Sequence, residues 1–295
     1  MTNPSFTIQS IGEITEGIRT ELQTRKAGDI EKYSTGLKGI DDIIIAIKKT
    51  RLYVIGARTG EGKTSLSCNL AWNLAQRQVK VMYISLEMTK EELVRRLICR
   101  ETRINSEMFE LDHLTDKTAS AIDMFKVAIK DIKFGIKDDI GYKFRELEDF
   151  ILSLNPKVDV LFLDHLQMIS WAGFPSKHEA VSEYIRKLKE LAKTQDIAIV
   201  VISQINREGA EKIPTLSQLK SSGAIEEIAD VVMLCYWPYN TGARGDYEIF
   251  IAKNRHGKVK AKDGVKVHFD AWTFTFEDIK NDNTRDRYRD PEFYR

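Results

Sequence analysis

The run Leu52-Tyr53-Val54-Ile55-Gly56-Ala57-Arg58-Thr59-Gly60-Glu61-Gly62-Lys63-Thr64 sets an apolar strand, a glycine-rich turn and a helix start in immediate succession. That order is the framework of a nucleotide phosphate site. The glycines let the backbone wrap around phosphate groups with its N–H groups pointing inward, Lys63 can neutralise the β and γ oxygens, and Thr64 offers a hydroxyl to Mg²⁺. The candidate loop is Gly56, Ala57, Arg58, Thr59, Gly60, Glu61, Gly62, Lys63, Thr64 and Ser65. The general pattern G-x-x-x-x-G-K-S/T is met imperfectly, because Ala57 stands where the first glycine belongs and Gly56 precedes it. A Gly-Lys pair alone carries little, since Gly257-Lys258 repeats it; the strand, loop and helix around the first pair supply the specificity. A plain glycine turn at a helix start is the alternative.

Bulk properties narrow the setting. With 295 residues and 42% hydrophobic content, the chain can bury a substantial core in one large or two small domains. No stretch approaches the roughly 18 apolar residues of a membrane span, and MTNPSFTIQS lacks the basic-then-apolar order of a secretory signal. The expected location is the cytoplasm, bacterial or that of a host cell, with no membrane partner. Cys68, Cys99 and Cys235 are widely spaced with no C-x-x-C, as expected of reduced, buried thiols. Five scattered histidines give no metal-binding spacing, so any metal should arrive with the nucleotide. The net charge is +1, with 45 basic and 44 acidic residues, and a nucleic-acid partner would need local basic patches.

The hydrophobic pattern predicts an α/β fold. Strands are expected near 52–56, 79–85, 158–163, 197–203, 230–236, 247–253, 265–269 and 272–277. Helices are expected near 63–76, 90–101, 116–132, 143–154 and 179–195. Strand–helix alternation with nearly continuous apolar strands implies a mostly parallel twisted sheet flanked by helices, followed by C-terminal β-hairpins. Ligands of such sheets bind beyond the carboxyl ends of the strands. Residues 10–26 form a separate amphipathic helix, with Ser10 and Glu13 at capping-box spacing and Ile11, Ile14, Ile18 and Leu22 as an apolar stripe. It packs either on its own domain or on a neighbouring subunit, since a stripe names no partner. The expected division is 1–32, N-terminal helix and connector; 33–279, nucleotide-binding domain; and 280–295, a charged solvated tail.

Four further segments carry candidate chemistry. Val158 to Asp164 is an apolar strand ending in a carboxylate, the place where a phosphate-loop enzyme holds its Mg²⁺ shell; Asp159 competes but sits at the strand's start. Glu87, in Ser85-Leu86-Glu87-Met88, should emerge beside the phosphate loop and can polarise an attacking water. Helix-start electrostatics would also explain an acid there, but Thr89 and Glu92 already account for the cap. Ile197 to Ser203 is a strand leading to Gln204, an amide placed to feel a γ-phosphate and relay it to the polar loop Arg207–Ser222. Lys220 and nearby backbone N–H groups in that loop can grip a phosphate backbone, or the loop is simply solvated. Lys253 and Arg255 share one face of a late strand, and reaching across a subunit boundary to a neighbour's nucleotide would suit them.

Taken together, the ordered set Tyr33-Ser-Thr-Gly-Leu-Lys-Gly-Ile-Asp41, GARTGEGKT, SLEM, LFLDHLQMIS, ISQINR, LKSSGAIEEIADVV and AKNRHGK resembles the ATPase domain of DnaB-type replicative helicases, within the RecA-like ATPases. The resemblance covers about Tyr33 to Glu277, and the Gly-Ala-Arg opening is usual in that family. It implies a RecA-like core, ATP and Mg²⁺ as cofactors, and a hexameric ring moving 5′ to 3′ on single-stranded DNA to unwind fork DNA. Carried over by position, Lys63 and Thr64 hold phosphate and Mg²⁺, Glu87 activates water, Asp164 supports the metal and Gln204 senses the γ-phosphate. Lys253 and Arg255 would act in trans, Lys220, Ser221 and Gly223 would track DNA, and the 10–26 helix takes the place of a linker helix docked on the next subunit. The family's usual N-terminal domain, which meets primase or a helicase loader, is expected to be absent, and Ser221 stands where the family often has an acid. A RecA-like recombinase filament or a non-helicase RecA-like ring ATPase would use nearly the same nucleotide chemistry.

Overall fold

The structure is a computed structural model that describes residues 10–24, 28, 32–111, 113–155, 157–205, 212–219, 222–237 and 247–279. In chain order the elements are α1 (Ile11–Thr24), α2 (Lys38–Ile44), β1 (Leu52–Ala57), α3 (Lys63–Gln76), β2 (Val81–Ser85), α4 (Lys90–Thr102), α5 (Asp116–Ala128) and β3 (Phe134–Lys137). They continue as α6 (Phe144–Ser153), β4 (Val160–Asp164), α7 (Lys177–Thr194), β5 (Ala198–Gln204), α8 (Ser222–Ile228), β6 (Val231–Tyr236), β7 (Tyr247–Asn254), β8 (Lys260–Asp270) and β9 (Thr275–Asp278). The strands make one sheet in the order β3-β2-β4-β5-β1-β6-β7-β8-β9, parallel from β3 through β6 and antiparallel from there to β9.

The side-chain alternation of the central strands builds two cores. Tyr53, Ile55, Val160, Phe162, Val200 and Ile202 face one side, where α3, α4 and α5 cover them. Leu52, Val54, Leu161, Leu163, Ile199 and Val201 face the other, under α6, α7 and α8. Because both faces are buried, the strands lack the polar alternation of a half-exposed sheet. The parallel sheet expected from sequence is therefore present, and so are the C-terminal hairpins.

Helix α3 is the hub of the first core, buried from Thr64 to Ala75. The C-terminal hairpins are tied to it: Asn69 Nδ2 donates to the Phe274 carbonyl at 2.6 Å, and its Oδ1 accepts from Phe276 N–H at 3.1 Å. Phe269 and Phe276 stack at 4.2 Å, with Tyr247 edge-on at 4.8 Å from Phe276. The Tyr247 hydroxyl donates to the Glu61 carbonyl at 2.7 Å, so this aromatic cluster supports the turn before α3 from beneath.

Several elements differ from expectation. Strand β3 has no counterpart among the expected strands, because Phe134-Gly135-Ile136-Lys137 is a short, half-buried edge strand with no long apolar run. Helices α2 and α8 have only seven residues each, too few for a helical period to show. The last strand begins at Thr275 rather than 272, since the preceding turn carries Phe274 in the left-handed region at φ 53°. Cys68, Cys99 and Cys235 are free and buried, as expected. Burial pushes each thiol up to about 12.

The expected cap of α1 is formed: Ser10 N–H donates to Glu13 Oε2 at 2.6 Å, and Glu13 N–H to Ser10 Oγ at 3.2 Å. None of the residues of α1 is buried, and Ile11, Ile14, Ile18 and Leu22 are all exposed. The tail from 280 lies outside the described residues.

Candidate active site

Parallel register brings the candidate residues together. Ala57 pairs with Gln204 and Ser85 with Asp164, so the carboxyl ends of β1, β5, β2 and β4 open at one level. The loop from Arg58 to Gly62 leaves β1 there and enters α3. Gly60 and Gly62 take φ values of 84° and 71°, which glycine adopts without a Cβ penalty. Gly62 is also the N-cap of α3, so the helix's first free N–H groups face the cleft above it.

Not every residue of the candidate loop faces that cleft. Gly56 lies inside β1, where an added Cβ would meet Leu219 Cδ2 at 2.7 Å and Leu234 Cδ2 at 2.9 Å. Its lack of a side chain meets a packing need inside the sheet, and Ala57 is likewise a buried strand residue. Arg58 and Glu61 are buried braces. Glu61 Oε2 accepts from Arg58 N–H at 3.0 Å, their side chains pair at 3.3 Å, and Arg58 also donates to the Lys212 carbonyl at 2.8 Å.

Lys63 Nζ lies 2.6 Å from Glu87 Oε2, and His165 Nδ1 lies 2.9 Å from the same oxygen. Burial alone would raise the Glu87 carboxyl, but hydrogen bonding and charge from Lys63, with His165 adding to them, hold it below the usual carboxylate range. Burial, followed by the Lys63 charge, lowers the imidazole of His165. The Thr89–Glu92 capping box is fully formed, so the start of α4 makes no demand on Glu87.

Thr64 Oγ1 donates to Asp164 Oδ2 at 2.7 Å, and the Tyr83 hydroxyl donates to the same oxygen at 3.0 Å. Asp164 Oδ1 is buried without a hydrogen-bond partner. An orphaned carboxylate oxygen beside a threonine hydroxyl is an all-oxygen donor set, which suits a hard divalent cation such as Mg²⁺. The nitrogen of His165, though near Glu87 and Asp164, suits that ion poorly. Asp159 is excluded from this work by position: at the opposite end of the sheet it accepts from Lys80 N–H at 3.0 Å and pairs with Lys49 at 3.0 Å.

Gln204 Nε2 donates to Thr59 Oγ1 at 2.7 Å, joining β5 to the loop. Its backbone N–H donates to Gln167 Oε1 at 3.0 Å, while Gln167 Nε2 donates to Ser203 Oγ at 2.8 Å. A cleft of about 470 Å³ lies over the loop, bordered by Lys63, Glu87, Arg96, Trp237, Phe269 and Phe274. Arg96 sits 4.6 Å over the Phe274 ring and donates to Ser65 Oγ at 2.9 Å. Cationic groups and aromatic faces line the cleft together, a mixture that suits a ligand with both phosphates and a flat base.

Lys253 and Arg255 lie elsewhere, at the far end of β7. Lys253 Nζ donates to the Glu226 and Glu227 carbonyls, the latter at 3.0 Å, and Arg255 donates to the Glu227 carbonyl at 2.6 Å. Both cations thus cap the C-terminal end of α8, and their described contacts include none of residues 56–65. Gly223 is exposed in the first turn of α8 with open space around it, while Lys220 and Ser221 lie outside the described residues.

Sequence reasoning passed over Tyr83, Arg96, His165 and Gln167. His165 and Gln167 stand within LFLDHLQMIS, and only the fold reveals that one turns to Glu87 and the other to Gln204. Tyr83 and Arg96 had no signal beyond their places in an apolar strand and an amphipathic helix.

The model of the DnaB-like helicase C terminal domain matches residues 33–278. The chain is 32% identical over 277 residues to a probable plasmid replicative DNA helicase of Chlamydia trachomatis, covering 90% of this chain and 60% of that protein. It is 30% identical over 251 residues to the replicative DNA helicase DnaC of Bacillus subtilis, covering 81% of this chain and 55% of that protein. Among solved structures, an isolated ATPase domain superposes with a TM-score of 0.81 at 24% identity, covering 93% of this chain and all of that one. A DnaB-like replicative helicase studied with primase gives 0.80 at 24% identity, covering 92% of this chain and 69% of that one. These two likenesses establish the RecA-like fold. With the match running through 33–278, and so through Lys63, Asp164 and Gln204, the chain belongs to the DnaB-like helicase C-terminal domain family.

Proposed function

We propose that this chain is the motor of a replicative DNA helicase, hydrolysing ATP at subunit boundaries of a hexameric ring to move 5′ to 3′ on single-stranded DNA and part a fork. The convergence of Lys63, Thr64, Glu87, Asp164 and Gln204 at one end of the parallel sheet carries the reading. Residues 33–279 are the motor domain, 1–32 the linker helix with its connector, and 280–295 a tail.

The Lys63–Glu87 pair suggests how binding and chemistry are linked. Phosphate oxygens compete with Glu87 for the Lys63 ammonium, and the Glu87 carboxylate, released from that pair, is then available to accept a proton from water. Thr64 and Asp164 would hold Mg²⁺, whose charge offsets that of the phosphates. Gln204, tied to Thr59, reports the state of the loop to the segment after β5. Lys253 and Arg255 supply charge to the neighbouring subunit's nucleotide, and Lys220, Ser221 and Gly223 track DNA phosphates.

Assembly has a candidate surface. Helix α1 leaves its apolar stripe exposed, and a groove of about 820 Å³ between α6 and α7 presents Phe144, Phe174 and Tyr184 among both bases and acids, Lys143, Arg145 and Lys187 with Glu148, Asp149 and Glu183. An exposed apolar stripe on α1 and an apolar groove of this size are matched in character, which supports docking of one subunit's α1 on the next. A primase or loader is the further partner proposed, and the cytoplasm the place; no described helix is long and apolar enough to cross a membrane.

The test is ATP hydrolysis with and without single-stranded DNA, alongside the mass of the ATP-bound assembly. Single strands should stimulate hydrolysis, and Lys63→Ala should abolish it. Undiminished hydrolysis in Lys63→Ala would refute the site. Open filaments that pair strands without unwinding would favour a recombinase, and no response to DNA a non-helicase ring.

A further inference from the structure

Strands β2 and β4 end side by side, and their chains stay in contact one residue further, with Leu86 N–H donating to the Asp164 carbonyl at 2.6 Å. Glu87 and His165 therefore emerge from neighbouring strand ends. His165 is only 5% exposed, and its Nδ1 lies 2.9 Å from Glu87 Oε2. That distance is within hydrogen-bonding reach, yet the pair is not aligned as a hydrogen bond, and Nδ1 makes none elsewhere among the described residues. Catalytic hydrogen bonds are commonly misaligned before substrate binds and tighten in the complex.

Both described contacts of the Glu87 carboxylate, from Lys63 and from His165, fall on Oε2. Once phosphates draw Lys63 away, one of the two anchors is lost. Glu87 is half-exposed and would then turn freely unless the other anchor holds.

We propose that His165 is the positioning residue for Glu87 in the nucleotide-bound state: its Nδ1–H retains Oε2 after Lys63 has moved to the phosphates, leaving Oε1 to accept from the attacking water. The proposal rests on the reading of Glu87 as the base. It requires the neutral imidazole tautomer with its proton on Nδ1. His165 itself touches neither the water nor the phosphates, and no proton leaves it during the step.

The experiment compares His165→Phe, which fills the space without a donor, with His165→Asn, whose amide N–H reaches roughly where Nδ1 stands. Nucleotide affinity, kcat and KM are measured for each in the full chain with single-stranded DNA. His165→Phe should lower kcat by on the order of 10- to 100-fold with little change in KM or nucleotide affinity, the cost of a misplaced reacting group. His165→Asn should recover most of that loss, and adding His165→Phe to Glu87→Gln should cost little more than Glu87→Gln alone. Wild-type kcat in His165→Phe would overturn the proposal. So would an equal loss in both variants accompanied by weaker nucleotide binding, which would make His165 a packing residue. Wild-type hydrolysis in Glu87→Gln would instead remove the base assignment, and this proposal with it.

Discussion

Gln204 Nε2 and Thr59 Oγ1 are 2.7 Å apart, a single hydrogen bond between the end of β5 and the tip of the phosphate loop. Gln167, buried beside them, holds the Gln204 backbone, so the amide is aimed from two sides. Under the proposed function, a phosphate arriving at the loop would compete for the same amide. Gln204→Ala should therefore reduce the ratio of DNA-stimulated to unstimulated hydrolysis by roughly 10-fold, about what loss of one hydrogen bond to a charged group entails. Gln167→Leu should move the ratio in the same direction and less. A stimulation ratio unchanged in Gln204→Ala would show that the relay lies elsewhere.

Lys253 and Arg255 cap α8 within their own chain, so engaging a neighbour's nucleotide means leaving those carbonyls. Arg255→Ala subunits mixed equally with Glu87→Gln subunits should regain hydrolysis that neither has alone. Roughly a quarter of boundaries in a cyclic assembly would pair an intact site with an intact cation. Mass measurement would establish mixing. Absence of recovery in proven mixed rings would rule out action across the boundary.

Asp230 joins the starts of β1 and β6. It is 2% exposed, pairs with Lys189 at 2.6 Å and accepts from Leu52 N–H at 2.8 Å. Burial raises its carboxyl, but the bonds from Lys189 and Leu52 prevail and hold it below the ordinary value. A folded-state pKa below the unfolded one, about 3.9, contributes stability above that pH, and the contribution fades as pH falls through the folded value. Asp230→Ala should cost about 3 kcal/mol near neutrality, because the half-buried Lys189 loses its carboxylate and is left with the Thr50 carbonyl at 2.9 Å. Urea unfolding at pH 7 and near pH 3.5 would check this, and the gap between variant and parent should narrow in acid. A constant gap would mean that the loss is one of packing.

Gly56→Ala separates two explanations of the displaced glycine. Crowding against Leu219 and Leu234 should lower stability by about 1 to 3 kcal/mol. Nucleotide affinity should stay close to that of the parent, since the position lies inside β1. A large loss of affinity at unchanged stability would return Gly56 to the phosphate site.

Much of the site was legible before any fold was known. Lys63 and Thr64 declare themselves because phosphate chemistry constrains residues adjacent in the chain, and Asp164 and Gln204 because each ends a conspicuous apolar strand. Arg58 and Glu61 look equally like loop ligands in one dimension. Their mutual burial becomes visible only when the Lys212 carbonyl and Tyr247, distant in sequence, close over them.

By itself the sequence determined the local matters: a strand, glycine-rich loop and helix in succession, a parallel sheet from doubly apolar strands, and which strands end in polar side chains. Those follow from periodicity and from motifs that are contiguous along the chain. Only the tertiary structure decided that Gly56 packs against Leu219 and Leu234, that Lys253 and Arg255 rest on α8, and that His165 meets Glu87. Each of these depends on which strands become neighbours and in what register, and a hydrophobic pattern records that a face is buried without recording what buries it.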